Sequence, residues 1–134
     1  MTDVFTEQLP HAEGFIVSEA PGALSREEVT IIEGAEVLQP GTVLGKRDNG
    51  KYQQLDPDSS EGNDAAVGIL CSRVDPTGGD VAGVVIERLA EVRAADLIWP
   101  DGITTVEQDT AEAELLARNI KIRAAASTVS TQST

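Results

Sequence analysis

Short apolar runs separated by turn-forming residues dominate the chain and predict a mainly β fold with one short α-helix. The longest uninterrupted run, residues 64–71, has almost no polar alternation, which is typical of a strand buried on both faces. Gly68 favours a strand over a buried helix, because a glycine inside a strand marks a bend or the close approach of another backbone. We expect this run to form the centre of the fold, with Cys71 acting as a small buried apolar residue.

Further β-prone runs lie on both sides of this centre. Those before it are rich in β-branched residues or bounded by turns, and they cover residues 14–18, 29–33, 42–45 and 51–54. Asp48-Asn49-Gly50 separates the last two and predicts a tight hairpin, because Asn and Gly both tolerate positive φ. After the centre, residues 81–92 are expected to pair with it and to finish as a half-exposed strand.

One amphipathic helix is predicted near the end of the chain. Thr104 and Glu107 have the spacing of a capping box, and Asn119 is a suitable C-terminal cap. Between them we expect a helix over about residues 106–118. Its apolar positions recur at roughly helical spacing and are Val106, Ala113, Leu116, Ala117 and Ile120. Residues 120–123 then alternate like a final strand.

The two ends of the chain differ from its body. Residues 1–13 lack periodicity and are expected to form an arm that is mobile in the free molecule, whereas residues 124–134 are uncharged and rich in Ser and Thr, as in a tail. The β-rich domain is therefore expected over residues 14–123. The apolar run 14–18 can add to the edge of another protein's sheet or pair within its own domain, and the sequence favours neither.

Charge and composition narrow the classes of partner. Acidic residues outnumber basic ones 23 to 10 for a net charge of −13, which argues against binding to nucleic acid or to an anionic membrane surface. The first 40 residues carry eight acidic side chains against Arg26 alone, and these either solubilise the surface or dock on a basic partner. With no signal-peptide pattern and no apolar stretch of membrane-spanning length, the protein is expected to stay where it is made.

No arrangement of residues predicts catalysis. His11, the one histidine, lies in the predicted arm, and phosphate-loop and dinucleotide-binding motifs are missing. The carboxylates of the turn at residues 75–80 match no recognised calcium loop. Glu112 and Glu114 are two positions apart and would point in different directions from a helix. We therefore predict no enzyme activity and no catalytic, cofactor-binding or metal-binding residue.

Three segments in order resemble a known family. The family is the head decoration proteins of tailed bacteriophages, the D type of lambdoid phages. The similar segments are residues 21–25 (Pro-Gly-Ala-Leu-Ser), 62–70 (Gly-Asn-Asp-Ala-Ala-Val-Gly-Ile-Leu) and 96–100 (Asp-Leu-Ile-Trp-Pro). The likeness spans about residues 14–123. The chain departs from the family in its longer region between Leu24 and Gly62 and in its uncharged tail.

The resemblance implies a small β-clip-like domain that assembles as a homotrimer. In the family, such trimers bind the major capsid protein at three-fold positions of the expanded capsid and cement the shell against the pressure of packaged DNA. The family's arm is disordered when free and lies along the capsid protein when bound. By this likeness the protein is made in the host cytoplasm, is located on the outer surface of the virion and needs no cofactor.

Two groups of residues become candidates for these contacts. The capsid-binding candidates are the apolar residues of the arm and the first strand, namely Phe5, Leu9, Phe15, Ile16 and Val17. The candidates for the trimer contact or the core are Leu97, Trp99 and Pro100. Trp99 is the one tryptophan, a residue type that serves either as a core plug or as an interface anchor.

Two other functions fit the residues. The β-clip class also contains trimeric nucleotide hydrolases, so a small trimeric enzyme acting on a nucleotide or similar metabolite is the alternative. The third hypothesis is an oligomeric scaffold or adhesin outside phage particles, which the missing secretion signal disfavours.

Overall fold

A computed structural model of the chain describes residues 14–22 and 24–124. Within them the chain forms eight strands and one α-helix, so the prediction of a mainly β fold with one helix is confirmed. The elements are β1 (Ile16–Glu19), β2 (Arg26–Ile31), β3 (Val43–Lys46), β4 (Tyr52–Gln54), β5 (Gly68–Leu70), β6 (Val81–Ile86), β7 (Ala90–Arg93), α1 (Thr105–Ala117) and β8 (Ile120–Arg123). The assignment to the β-clip class and the trimer stay predictions.

Five strands close into a barrel, in the order β2-β4-β3-β5-β6. The longest pairing joins β2 and β6, which run antiparallel from Arg26 opposite Ile86 to Ile31 opposite Val81. β5 pairs with β6 as well as with β3, which confirms that the central run pairs with the β-prone stretch after it.

The remaining strands form a separate sheet in the order β1-β7-β8. β1 is antiparallel to β7, and the register shifts between Ile16 and Ser18. β8 is parallel to β7, a pairing that needs a crossover connection, and α1 supplies it. We refer to β1, β7, β8 and α1 together as the sheet–helix layer.

Two apolar cores lie on opposite faces of the barrel strands. The barrel core takes one side chain from each barrel strand and one from a loop, and consists of Ile31, Leu44, Tyr52, Leu70, Val74 and Val85. The inter-layer core lies between the barrel and the sheet–helix layer, and consists of Phe15, Val43, Leu55, Ala66, Ile69, Cys71, Ile86, Ala90, Val92, Leu97, Ala111, Leu115 and Ile120. Because neighbours along one strand point to opposite faces, Ile69 enters one core and Leu70 the other.

The central run is therefore buried on both faces, as predicted, but its regular strand is shorter than residues 64–71. Only Gly68–Leu70 is a strand. The preceding backbone is held by the helix instead, since the Ala66 N–H donates to the Glu114 carboxylate at 2.8 Å. A side chain at Gly68 would place its Cβ 2.8 Å from the Ile86 carbonyl oxygen, which is the close backbone approach that the glycine predicted.

The predicted hairpin joins β3 and β4, with one difference in its geometry. Arg47 N–H donates to the Lys51 carbonyl at 2.8 Å, and Gly50 N–H donates to the Arg47 carbonyl at 2.9 Å. Gly50 has φ 88°, whereas Asn49 is not among the described residues with positive φ. The turn is thus a three-residue loop that needs one left-handed residue rather than two.

The first barrel strand begins three residues before its predicted start. β2 runs over Arg26–Ile31 rather than residues 29–33. Its early residues pair with the end of β6, and two of their charges are matched by ion pairs, of Arg26 with Glu19 (2.7 Å) and of Glu27 with Arg88 (3.0 Å). Tertiary pairing thus extends a strand into residues whose own β propensity is low.

The predicted capping box of α1 is present, but four of the five apolar positions that predicted the helix are exposed, and only Ile120 is buried. Glu107 N–H donates to the Thr104 hydroxyl, and the Thr104 N–H donates to the Glu107 carboxylate. The buried residues of the helix are Ala111 and Leu115, whereas Val106 is 73% exposed and Leu116 is 58% exposed. Two apolar stripes at helical spacing run along this segment, and packing against the inter-layer core buries the stripe that contains Ala111 and Leu115.

Candidate functional site

The first strand and the residues just before it are held by the chain's own sheet. Ile16 in β1 lies opposite Val92 in β7. The Arg93 backbone N–H donates to the Phe15 carbonyl at 2.8 Å, and the Arg93 guanidinium donates to the Gly14 carbonyl. Of the two alternatives for this run, the structure shows pairing within the domain.

The candidate capsid-binding residues differ in how accessible they are. Phe15 is 3% exposed in the inter-layer core, and Ile16 is half-buried against the same core. Val17 is 44% exposed, so it is the described candidate most available to a partner. Phe5 and Leu9 lie outside the described residues. The capsid-binding role of all five stays a prediction.

The segment that leads from β7 to α1 is fixed against the barrel. Ile98 N–H donates to the Gly41 carbonyl at 2.8 Å, and Val43 N–H donates to the Ile98 carbonyl at 3.1 Å. A side chain at Gly41 would place its Cβ 2.4 Å from the Asp96 carbonyl oxygen, so the two backbones are in close contact there. The side chains of this segment are therefore presented on a rigid backbone.

The predicted trimer or core residues divide between these two roles. Leu97 is 8% exposed and belongs to the inter-layer core, and Trp99 packs against that core while half-buried. Pro100 is also half-buried, whereas Ile98 is 38% exposed. Ile98 and Trp99 line a groove of about 160 Å³ together with residues 36–39, which leaves part of Trp99 accessible to a second molecule.

A buried polar pair joins the barrel to the turn before β7. Tyr52 donates its hydroxyl to one oxygen of Glu87, and Arg88 donates to the other at 3.2 Å. Tyr52 is 6% exposed and Glu87 is 7% exposed. Burial, and then the hydrogen bond to Glu87, raise the pKa of Tyr52 well above its ordinary value, so the phenol stays protonated. Through these two hydrogen bonds, Glu87 connects Tyr52 of β4 to the turn before β7.

This pair lies beside a polar cavity of about 570 Å³ between β2, the β3–β4 hairpin and Arg88. The Lys46 ammonium stands 5.8 Å from the centre of the Tyr52 ring. The other cations at the cavity are paired, because Lys51 contacts Asp80 at 2.6 Å and Arg88 contacts Glu27 at 3.0 Å. Lys46 and Glu28 also line the cavity, and neither makes an ion pair with another described residue.

The carboxylates of the turn at residues 75–80 have structural partners. Asp75 accepts from the Thr77 hydroxyl and from the Thr77 backbone N–H at 3.1 Å, and these bonds hold the pKa of Asp75 below its usual value. Asp80 accepts from Lys51 and from the Glu33 backbone, and these bonds lower the pKa of Asp80. Among the described residues no group of His, Cys, Asp and Glu could hold a metal ion.

Sequence reasoning missed the Tyr52–Glu87 pair and the exposed residues of the helix. Tyr52 carried one usable signal, since a buried tyrosine needs a hydrogen-bond partner for its hydroxyl. Glu87 carried none, because it lies in a stretch that alternates charged and apolar residues.

None of the helical segments described here is long and apolar enough to cross a membrane.

Comparison with known proteins supports the likeness found in the sequence. No curated protein matches the chain. One family does match, described as bacteriophage lambda head decoration protein D, and the match covers residues 4–120. The matched range includes all three of the segments that carry the resemblance, and the chain belongs to the bacteriophage lambda head decoration protein D family.

Proposed function

We propose that this protein binds as a homotrimer to the three-fold positions of the expanded phage capsid and stabilises the shell against the pressure of packaged DNA. The family match over residues 4–120 carries this proposal, because the family decorates phage heads and is structural. The partners are the major capsid protein and two further copies of the chain. The protein is made in the host cytoplasm and binds the outer surface of the capsid.

The architecture of the described residues suits such a role. A cement protein needs a body that does not deform under load, and here β3, β5 and β6 each contribute side chains to both cores. Displacing one layer therefore exposes apolar surface in the other. Because burial of apolar surface is the main stabilising term in folding, the two layers resist separation.

We propose that residues 1–13 form the main capsid contact, through Phe5 and Leu9, and that Val17 extends it. Phe15 and Ile16 can join this contact only if β1 leaves β7, because Phe15 is buried in the inter-layer core. Ordering an arm costs entropy on binding, so one arm binds weakly. Three arms on one trimer turn later contacts into intramolecular events, which can raise binding by about 10² to 10⁴.

We propose that Trp99 and Pro100, with exposed Ile98, form the trimer contact. The backbone of Ile98, next to Trp99, is hydrogen-bonded to Gly41 and Val43, so little further ordering of this segment is needed when copies associate. Leu97 supports this contact from the inter-layer core rather than joining it.

The arm is tested by deleting residues 2–13 and no more. A longer deletion would remove Phe15 and β1, and loss of capsid binding would then report loss of folding. The shortened chain should keep its β-rich circular dichroism spectrum and its oligomeric state and should no longer co-sediment with expanded capsids. The matched control replaces residues 2–13 with a Gly-Ser segment of equal length. If the shortened chain binds capsids as well as the full chain, the arm proposal is wrong.

A further inference from the structure

The hairpin loop between β3 and β4 carries a reactive sequence at the surface. Asn49 is followed directly by Gly50, and both residues are exposed. A Cβ added to Gly50 would meet no atom within 4 Å, so the space beside this backbone is open. A glycine after an asparagine also puts no side chain in the way when its own backbone nitrogen approaches the asparagine amide.

We propose that Asn49 is a site of spontaneous deamidation and that opening of the hairpin loop sets its rate. In this reaction the Gly50 backbone nitrogen loses its proton and forms a bond to Cγ of Asn49. The bond from Cγ to the side-chain nitrogen breaks, ammonia is released and a cyclic succinimide remains. Water then opens the ring at one of its two carbonyls and gives aspartate or isoaspartate at position 49. One water is consumed for each ammonia released, and no atom is oxidised or reduced.

The closed loop holds both reacting groups in hydrogen bonds. Gly50 N–H donates to the Arg47 carbonyl at 2.9 Å, so the attacking nitrogen keeps its proton while this bond is present. The Lys51 N–H donates to Oδ1 of Asn49 at 2.9 Å, which fixes the amide that would be attacked. Formation of the ring therefore requires that the loop opens. The folded chain should react more slowly than the unfolded chain, because local opening of the folded state costs free energy.

Contacts outside the loop hold it closed. The Asp48 N–H donates to the Glu61 carbonyl at 2.7 Å. The Arg47 side chain donates to the Gln53 side chain at 2.7 Å and lies 3.4 Å from the Glu61 carboxylate. These contacts connect the loop to β4 and to the segment that follows it. Loss of the side-chain contacts should make opening more frequent and deamidation faster.

The other two asparagines of the chain each lack one condition for this reaction. Asn63 is 2% exposed, and its side chain donates to the Gln54 carbonyl at 3.0 Å. Asn119 is exposed, but the next residue is Ile120, whose β-branched side chain crowds its own backbone nitrogen. These two residues are internal controls, one for exposure and one for the residue that follows.

Deamidation would change the loop in two ways. Both products add a carboxylate to the polar cavity, which Asn49 lines together with Lys46 and Lys51. Isoaspartate also adds one carbon to the main chain between positions 49 and 50, and the hydrogen bond from Gly50 to Arg47 does not fit this longer loop. The hairpin should therefore be weakened in the isoaspartate product. This inference does not depend on the proposed capsid role.

Mass spectrometry after incubation of the full chain in mildly alkaline buffer tests the proposal. In the folded protein Asn49 should be converted to the acid while Asn63 and Asn119 stay unmodified. The same chain unfolded in urea should react at Asn49 at least roughly fivefold faster than the folded chain. Conversion of Asn63 or Asn119 as fast as Asn49 in the folded protein would overturn the assignment of the site. Equal rates at Asn49 in the folded and unfolded chains would overturn the role of loop opening.

Arg47→Ala tests the role of loop opening without changing the reacting residues. It removes the contacts with Gln53 and Glu61, so the folded variant should deamidate at Asn49 at least roughly threefold faster than the unsubstituted chain. In urea the two chains should react at the same rate, since the intrinsic chemistry is unchanged. Arg73→Ala removes an exposed cation outside the hairpin and is the matched control, whose rate should equal that of the unsubstituted chain. A folded Arg47→Ala protein that reacts no faster would overturn the proposal.

Discussion

The barrel and the sheet–helix layer expose very different surfaces. The barrel is closed, so its strands pair on both sides and leave no continuous open edge. The sheet–helix layer ends in two edge strands, β1 and β8. Most of the exposed large apolar side chains also lie in this layer or in the segments that enter it, and these are Val17, Leu89, Ile98, Val106 and Leu116. Association with other molecules is therefore expected on the layer, with the barrel as its support.

The two regions also differ in how they are assembled. The barrel is built from residues 26–86, whereas the layer joins β1 to strands more than 70 residues later in the chain. Yet they share the inter-layer core, to which Val43, Ile69 and Ile86 contribute from the barrel. The regions should therefore unfold together, although only one of them is expected to bind partners.

The largest effect is expected from Leu115→Ala, which removes a fully buried side chain between the regions. It should lower the free energy of unfolding by about 2–5 kcal/mol. Urea titration can follow Trp99 for the inter-layer core, against which it packs, and Tyr52 for the barrel core, since each is the one residue of its type. Both midpoints should fall together. Val106→Ala on the exposed side of the same helix is the control and should change stability by less than about 0.5 kcal/mol. A midpoint that shifts for Trp99 alone would show that the regions unfold separately.

The next effect is expected at Gly41, where the barrel contacts the segment leading to the helix. Gly41 has φ 96°, and an added Cβ would approach the Asp96 carbonyl oxygen to 2.4 Å. Gly41→Ala therefore combines backbone strain with overpacking and should cost roughly 2–4 kcal/mol. Gly50→Ala isolates the strain, because Gly50 also has positive φ but no atom within 4 Å of its added Cβ. Equal losses in thermal or urea unfolding would mean that the close contact contributes nothing.

Tyr52→Phe should cost about 1–3 kcal/mol at neutral pH, because Glu87 loses a buried hydrogen bond. The pKa of Tyr52 is higher in the folded than in the unfolded protein, so this stabilisation is complete below pH about 10 and is lost as the pH rises further. Urea titrations should show a constant gap between the two proteins up to pH about 9 and a shrinking gap above it. A gap that widens at high pH would contradict this assignment.

The smallest effect on stability is expected from Ile98→Asp, which changes an exposed side chain of the proposed trimer contact. The free energy of unfolding of the monomer should change little, whereas sedimentation should show loss of the trimer. Val106→Asp introduces the same charge on the exposed face of the helix and should leave the trimer intact. A trimeric Ile98→Asp protein would remove this residue from the contact.

Local signals predicted the parts of the fold that local chemistry decides. The Asp48-Asn49-Gly50 turn, the Thr104–Glu107 capping box and Gly68 each correspond to a backbone geometry that few other residues allow. Features that depend on packing between distant elements, such as which face of a helix is buried, could not be predicted from local sequence. The buried face of α1 is set by where the inter-layer core lies.

The candidate site was less predictable than the fold. Whether Phe15 is buried or free depends on β1 pairing with β7, and those strands lie far apart in the sequence. Leu89 has φ 56°, which a leucine rarely adopts, so no residue preference could indicate its turn. Glu87 is a buried hydrogen-bond partner of Tyr52, although the two residues are 35 positions apart in the sequence.

The anchorage of β1 sets how the domain would bear a mechanical load. Force applied to the residues before Gly14 acts first on the backbone of Gly14 and Phe15. The carbonyls of both residues accept hydrogen bonds from a single residue, Arg93. Beyond them the register shift between Ile16 and Ser18 interrupts the ladder, so bonds behind it do not share the force evenly. The hydrogen bonds of Arg93 are thus the first contacts that transmit force from residues 1–13 to the domain.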